Sequence, residues 1–261
     1  MEAKKPLLAI SDLYLSFGGL NVLQNFSVEV KKGSVKAIIG PNGAGKTTIF
    51  NVLTGIYRPD RGQIVFKGES IGGLRPHQIA KRKIFRTFQT IRLFGHMEVV
   101  NNVMVGMHLF RDVNIFKTML GLPSLKNEES NFKKEALDIL KILELEKYQD
   151  EKANNLPYGI QKRTEIARAL AGRPELLLLD EPAGGLNRTE TESLLRFIRK
   201  IRDLGITIIL IEHDMHMVMD LADEVLVLNY GSVIADASPR DVQRDQKVIE
   251  AFLGRKRAHE T

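Results

Sequence analysis

The segment Gly40-Pro41-Asn42-Gly43-Ala44-Gly45-Lys46-Thr47 places three glycines, a lysine and a hydroxyl side chain in the spacing of a phosphate-cradling loop. Glycines let successive backbone N–H groups turn inward around anionic oxygens, and a helix starting near Lys46 adds the positive end of its dipole, roughly half a charge. Lys46 is expected to reach the outer phosphates, and Thr47, followed by Thr48, to offer a hydroxyl to a magnesium ion. The run Val35 to Ile39, apolar except for Lys36, leads straight into the loop and supplies the buried strand that such a loop requires.

Four leucines, Leu176 to Leu179, run into Asp180 and Glu181. A core strand with a polar end explains that pattern by itself. In a sheet built around a phosphate loop, the same strand delivers Asp180 to the magnesium shell and Glu181 to a place where it can polarise a water for attack on the terminal phosphate. His213 stands two residues beyond the apolar strand Thr207 to Ile211, at the edge where open α/β sheets bind ligands. His213 and His216 share a helical spacing, but no third ligand of metal-binding type accompanies them.

The elements that must position these groups are legible in outline. Leu8 to Leu15 and the alternating Phe26 to Val30 read as antiparallel strands, and Arg61-Gly62 turns the chain into a short strand, Ile64 to Phe66. From Arg75 to Gly172 the pattern reads as helical, with Pro76 where a first-turn proline is tolerated. Phe132, Ala136, Ile139, Leu140 and Leu143 recur at helical spacing, so an amphipathic helix is expected over 128–143. Residues 105–127, with Gly121 and Pro123, read as an insertion. A helix from Thr189 to Leu204, stopped by Gly205, separates the strands Leu176 to Leu179 and Thr207 to Ile211, which implies parallel pairing by a right-handed crossover. Val225 to Leu228, a turn at Asn229 to Gly231, the strand Val233 to Ala235 and two short helices close the chain.

With 261 residues, 43% of them apolar, the chain can bury a substantial core. No apolar run approaches the roughly 20 residues of a membrane span, and Met1 to Pro6 lacks the apolar stretch of a signal peptide. The chain is therefore expected to be soluble and made in the cytosol. Without cysteine there is no disulfide, thiol nucleophile or thiolate-bound zinc. A net charge of +6 suits a partner rich in phosphate, an anionic membrane face or nucleic acid, without choosing among them. The cluster Arg75, Lys81, Arg82, Lys83, Arg86 and the tail Arg255-Lys256-Arg257 read as solvated faces.

Taken in order, the phosphate loop, Thr87-Phe88-Gln89, Leu156-Pro157-Tyr158-Gly159-Ile160-Gln161 ahead of Arg168-Ala169-Leu170, Asp180-Glu181-Pro182 and His213 make a set far more specific than any one of them. From end to end the chain resembles the ATP-binding subunits of ABC transporters. The resemblance implies an α/β P-loop core with an antiparallel β subdomain (1–34 and 62–72), the core itself at 35–61 and 173–236, a helical subdomain at 90–172 and C-terminal helices at 237–261. It also implies that two such subunits clamp two ATP molecules. By position, Phe17 is similar to the aromatic that stacks on adenine. Gln89 is similar to the glutamine that reaches Mg²⁺ and the attacking water, and His213 to the switch histidine that donates to the γ-phosphate. Tyr158 and Gly159 fall in the signature that offers backbone donors to the partner's γ-phosphate, and Gly184 to Asn187 in the loop that touches the partner's site.

Two departures stand out. Pro157 and Ile160 replace the serine and glutamine usual in the signature, so the half-site that it completes is expected to be weaker. Asn187 replaces the more common aspartate. An intact Glu181 and His213 beside a weakened signature suit an asymmetric heterodimer, while a homodimer stays open. Arg86 to Thr90, the insertion, Glu181 to Asn187, Ile211 to Met215 and Val248 to Gly254 resemble the larger ATP-binding subunit of branched-chain amino acid uptake systems. That implies two membrane permease subunits, an external solute-binding protein and a place on the cytoplasmic face of the cell membrane. Importers of urea or short amides share much of the pattern. A soluble ABC ATPase acting on nucleic acid or ribosomes is the contrasting class, but paired nucleotide domains or coiled-coil arms are absent and no nucleic-acid partner is expected.

Overall fold

The computed structural model describes residues 5–110 and 123–253. Strands β1 (Leu8–Phe17) and β2 (Leu20–Val30) form a hairpin, with β4 (Arg61–Phe66) and β5 (Glu69–Ser70) added in the order β2-β1-β4-β5. All pairs in this sheet are antiparallel. Alternation along β2 turns Phe26, Val28 and Val30 inward and Ser27 and Glu29 to solvent, so one face is covered.

The second sheet has the order β10-β9-β3-β8-β7-β6, using β3 (Val35–Ile39), β6 (Ile84–Arg86), β7 (Leu176–Asp180), β8 (Thr207–Ile211), β9 (Glu224–Asn229) and β10 (Ser232–Ala237). Pairing is parallel from β9 to β6 and antiparallel only at β10. Its central strands are buried on both faces and mostly apolar; Lys36 of β3 is a buried exception, paired with Glu224 and Asp236. Leu177 and Leu179 of β7 pack into one core, and Leu176 and Leu178 into the other. Each such leucine contributes about 1.5–3 kcal/mol by leaving water. The first core lies under the helices α3 (Val99–Val105), α4 (Pro123–Ile142), α5 (Tyr158–Ala171) and α6 (Arg188–Asp203). The second is filled from the antiparallel sheet and α1 (Lys46–Leu53).

Strand β6 corrects the helical reading of 75–172. Helix α2 (Pro76–Lys81) does begin on Pro76, but Ile84 to Arg86 then pair in parallel with Leu176 to Leu178. Three residues are too few to show a period, and their partners lie about ninety residues away, so only the sheet reveals the strand. The insertion read at 105–127 falls largely on 111–122, which lie outside the described residues, as does the basic tail at 255–257. Helices α7 (Met215–Leu221), α8 (Pro239–Arg244) and α9 (Gln246–Leu253) complete the described elements. The topology sets the carboxyl ends of β3, β8, β7 and β6 side by side, and the loops leaving those four ends form one rim.

Candidate active site

The loop after β3 turns on glycines. At Gly40 a Cβ would lie 2.1 Å from the Leu228 carbonyl oxygen, so no side chain fits. Gly45, at φ +104, caps α1 without a side-chain bond, and among the described residues no side chain occupies the first-turn amides, as an anion site requires. Lys46 is 6% exposed, and its ammonium donates to the carbonyls of Gly40 (2.7 Å) and Pro41 (3.0 Å), bracing the loop. Burial pushes its pKa down, while Glu181 and Asp180 oppose that effect. Thr47 is exposed and Thr48 half-buried. A cleft of about 770 Å³ opens over Asn42, Gly43, Ala44, Gly45, Lys46, Thr47 and Thr48, bounded by Gln89, Glu181 and His213.

Glu181 lines the cleft together with the phosphate loop. Its backbone is left-handed (φ +47), a strained state for a non-glycine residue costing about 1–3 kcal/mol, and its amide is fixed to the Ile211 carbonyl at 2.9 Å. The turn aims its carboxylate between two neighbours. Gln89 Nε2 donates to Oε2 at 2.8 Å, and His213 Nε2 lies 2.6 Å from Oε1. A carboxylate so placed over a phosphate loop can orient and deprotonate a water, and Gln89 keeps its amide oxygen free of the contact.

Asp180 ends β7 and is 2% exposed, outside the lining of the cleft. Its Oδ2 accepts from Arg86 Nη2 at 2.6 Å, and its amide donates to the Thr87 hydroxyl at 3.3 Å. Among the described residues Oδ1 carries no hydrogen bond.

Arg86 corrects the reading of its cluster as a solvated face: its side chain is 5% exposed. It also donates to Asn51 Oδ1 at 2.7 Å, which joins α1 to the end of β7. Its only sequence signal is the place directly ahead of Thr87-Phe88-Gln89. Glu212, also missed, is 3% exposed and accepts from the amides of Ala183 (2.8 Å) and His213 (3.0 Å), tying the loops of Glu181 and His213 together. Burial pushes its carboxyl pKa up.

The structure does not bring every expected residue to the cleft. Phe17 is 44% exposed at the β1–β2 turn, set edge-on to Tyr57 with centroids 5.0 Å apart, and does not line it. Tyr158 and Gly159 open α5 outside the lining of the cleft, Tyr158 exposed and Gly159 buried against Glu190. Pro157 is the N-cap of that helix, and its carbonyl takes the amides of Ile160 and Gln161, which leaves the Tyr158 and Gly159 amides ahead of the helical ladder. Ile160 is 8% exposed and packs into the helical core, which accounts for an apolar residue there. Asn187 caps α6 in reciprocal bonds with Glu190, a role in which asparagine equals aspartate.

The family model described as ABC transporter matches residues 23–184, and that described as Branched-chain amino acid ATP-binding cassette transporter matches 232–258. The high-affinity branched-chain amino acid transport ATP-binding protein BraF of Pseudomonas aeruginosa is 41% identical over 251 residues, 96% of this chain and 98% of its own. The ADP conformation of an ATP-binding cassette of an ABC transporter superposes with TM-score 0.84 at 31% identity, covering 96% of this chain and 100% of that one. A dimeric bacterial ABC transporter cassette gives TM-score 0.75 at 25% identity, over 89% and 99%. On the match of more than half its length, the order of its rim loops and these relatives, the chain belongs to the ABC transporter family as an ATP-binding cassette.

Proposed function

We propose that this cassette hydrolyses ATP to power uptake of branched-chain amino acids through two membrane permease subunits, fed by an external solute-binding protein. It works as one of a pair of cassettes, held through the permeases at the cytoplasmic face of the membrane. The observation that carries the catalytic part is Glu181 held between Gln89 and His213 across the cleft from Lys46.

In this reading Gly40 to Thr48 cradle the phosphates, Lys46 neutralises the outer two and Phe17 stacks on adenine. Glu181 takes the proton of the attacking water while Gln89 orients it. His213 donates to the γ-phosphate. The donor set suits Mg²⁺: the Thr47 hydroxyl, the free Asp180 Oδ1 and the Gln89 amide oxygen are hard oxygen ligands, few enough to leave room for phosphates and water. When bound, the ion neutralises charge developing on the phosphate oxygens.

Tyr158 and Gly159 lie away from their own subunit's cleft, so their first-turn amides serve the nucleotide of the partner. A γ-phosphate contacted by both subunits makes ATP favour the closed pair over the open one, and that difference in affinity is what can shift the balance. Hydrolysis removes the bridging group and the pair reopens. The substrate rests on the similarity to branched-chain amino acid transport ATP-binding proteins and on the matched C-terminal segment.

The test is recovery of the tagged chain with its membrane partners and reconstitution in vesicles with the solute-binding protein. Leucine, isoleucine or valine should stimulate ATP turnover. Stimulation by urea or short amides instead would reassign the substrate, and recovery with nucleic acid in place of membrane subunits would end the transport reading.

A further inference from the structure

Helix α5 carries a buried polar stripe that the mechanism above does not use. Lys162, Glu165 and Arg168, three residues apart, all face the segment from Gln89 to Arg92. Lys162 Nζ donates to the Gln89 carbonyl at 2.9 Å and reaches the Glu181 carbonyl at 3.5 Å. Glu165 Oε1 accepts from the Arg92 amide at 3.2 Å, and Arg168 donates to the Arg92 carbonyl. One helix therefore grips the backbone on both sides of the Gln89 loop.

Lys162 is the unusual member. It is 3% exposed, and among the described residues its ammonium forms no ion pair, although a buried charge is costly unless well partnered. A methionine would fill the space with less desolvation. What the ammonium supplies is a donor shared by the carbonyls of two residues that flank the hydrolysis chemistry. It also lies 5.9 Å from the ring of Tyr158, one turn earlier at the mouth of α5, and that ring packs against Gly185, where a Cβ would stand 3.0 Å from it.

We propose that Lys162 is a positioning residue that couples the two nucleotide sites: engagement of the partner's nucleotide by the start of α5 is passed through its ammonium to Gln89 and Glu181 of its own site. This rests on the paired-cassette reading above. A helix is stiff along its axis, so a shift at Tyr158 and Gly159 moves Lys162 with it, and the two carbonyls must follow or lose their donor.

The test compares Lys162→Met and Lys162→Arg in the full chain, together with the cassette subunit that co-purifies with it. Lys162→Met should lower kcat for ATP hydrolysis about 10- to 100-fold, the scale of a small misplacement of reacting groups, with KM for ATP nearly unchanged. Lys162→Arg, which keeps a charged donor, should recover most of the loss. An unchanged kcat, a rise in KM alone, or equal damage by both variants would overturn the proposal. If Lys162→Met does not fold, as judged by circular dichroism and melting, Lys162→Gln takes its place under the same criteria. In a Glu181→Gln background, Mg·ATP should produce a two-cassette species on size exclusion both with and without Lys162→Met. Its absence from Glu181→Gln itself would remove the paired reading and the proposal with it. Its loss only on adding Lys162→Met would make Lys162 part of the clamp and overturn the positioning role alone.

Discussion

Arg86 Nη2 lies 2.6 Å from Asp180 Oδ2, with the two side chains only 5% and 3% exposed, so β6 and β7 are joined at their carboxyl ends by a buried ion pair. The guanidinium also sits 5.3 Å from the Phe50 ring centroid and 5.1 Å from that of Phe88. It thus binds together α1, the end of β7 and the approach to Gln89. Removing one partner strands the other charge. Arg86→Met should cost about 3–5 kcal/mol of unfolding free energy, and adding Asp180→Asn should return much of it. Chemical denaturation of the single and double variants measures both; a loss under about 1 kcal/mol would show that water replaces the guanidinium.

Glu181→Gln preserves the size of the side chain and one carbonyl oxygen while removing the proton acceptor. Nucleotide binding should stay within a few-fold of wild type, whereas turnover should fall by about 10²–10⁴. Equal turnover in the two proteins would take the general-base role away from Glu181.

Lys46→Ala removes a buried cation that faces the cleft and braces two loop carbonyls. Charge-assisted bonds contribute about 1.5–3 kcal/mol each, so loss of two to phosphate weakens ATP binding by roughly 10²-fold or more. Titration with a fluorescent nucleotide should show no saturation in the range that saturates wild type.

Two glycines of the same loop should respond differently to alanine. At Gly40 the methyl meets the Leu228 carbonyl at 2.1 Å, while at Gly43 nothing lies within 4 Å and only the positive φ of 79° resists. Gly43→Ala should cost about 1–2 kcal/mol, the usual left-handed penalty. Gly40→Ala adds a backbone clash of about 1–3 kcal/mol or more. Melting temperatures in that order would support the loop geometry; the reverse order would contradict it.

Glu212 links the loops of Glu181 and His213 from beneath, and burial raises its carboxyl pKa in the fold. Because the folded protein then holds this proton more tightly than the unfolded chain, the contribution is fully present below the unfolded value. It is lost as pH rises through the folded value. Glu212→Gln removes that titration. The stability of wild type relative to the variant should therefore decline as pH rises above about 4, the ordinary glutamate range, as denaturation at several pH values would show; a flat difference would mean that Glu212 titrates alike in the folded and unfolded chain.

Local spacing and period were enough to read the phosphate loop, the carboxylates after a leucine strand, His213 beyond the next strand, and α6 to within a residue at each end, stopped by Gly205. Each is written within a few consecutive residues, where backbone freedom, alternation and capping act. Strand β6, the burial of Arg86 and Lys162, and the bridging by Glu212 were settled by tertiary structure. Their partners stand 94, 73 and 29 residues away for Asp180, Gln89 and Ala183 respectively. Whether a charged side chain is solvated or buried depends on which groups the packed sheet sets opposite it, and no local pattern encodes that. The separation of Tyr158 and Gly159 from their own cleft has the same origin: a helix start supplies the donors, but the fold decides which way they point.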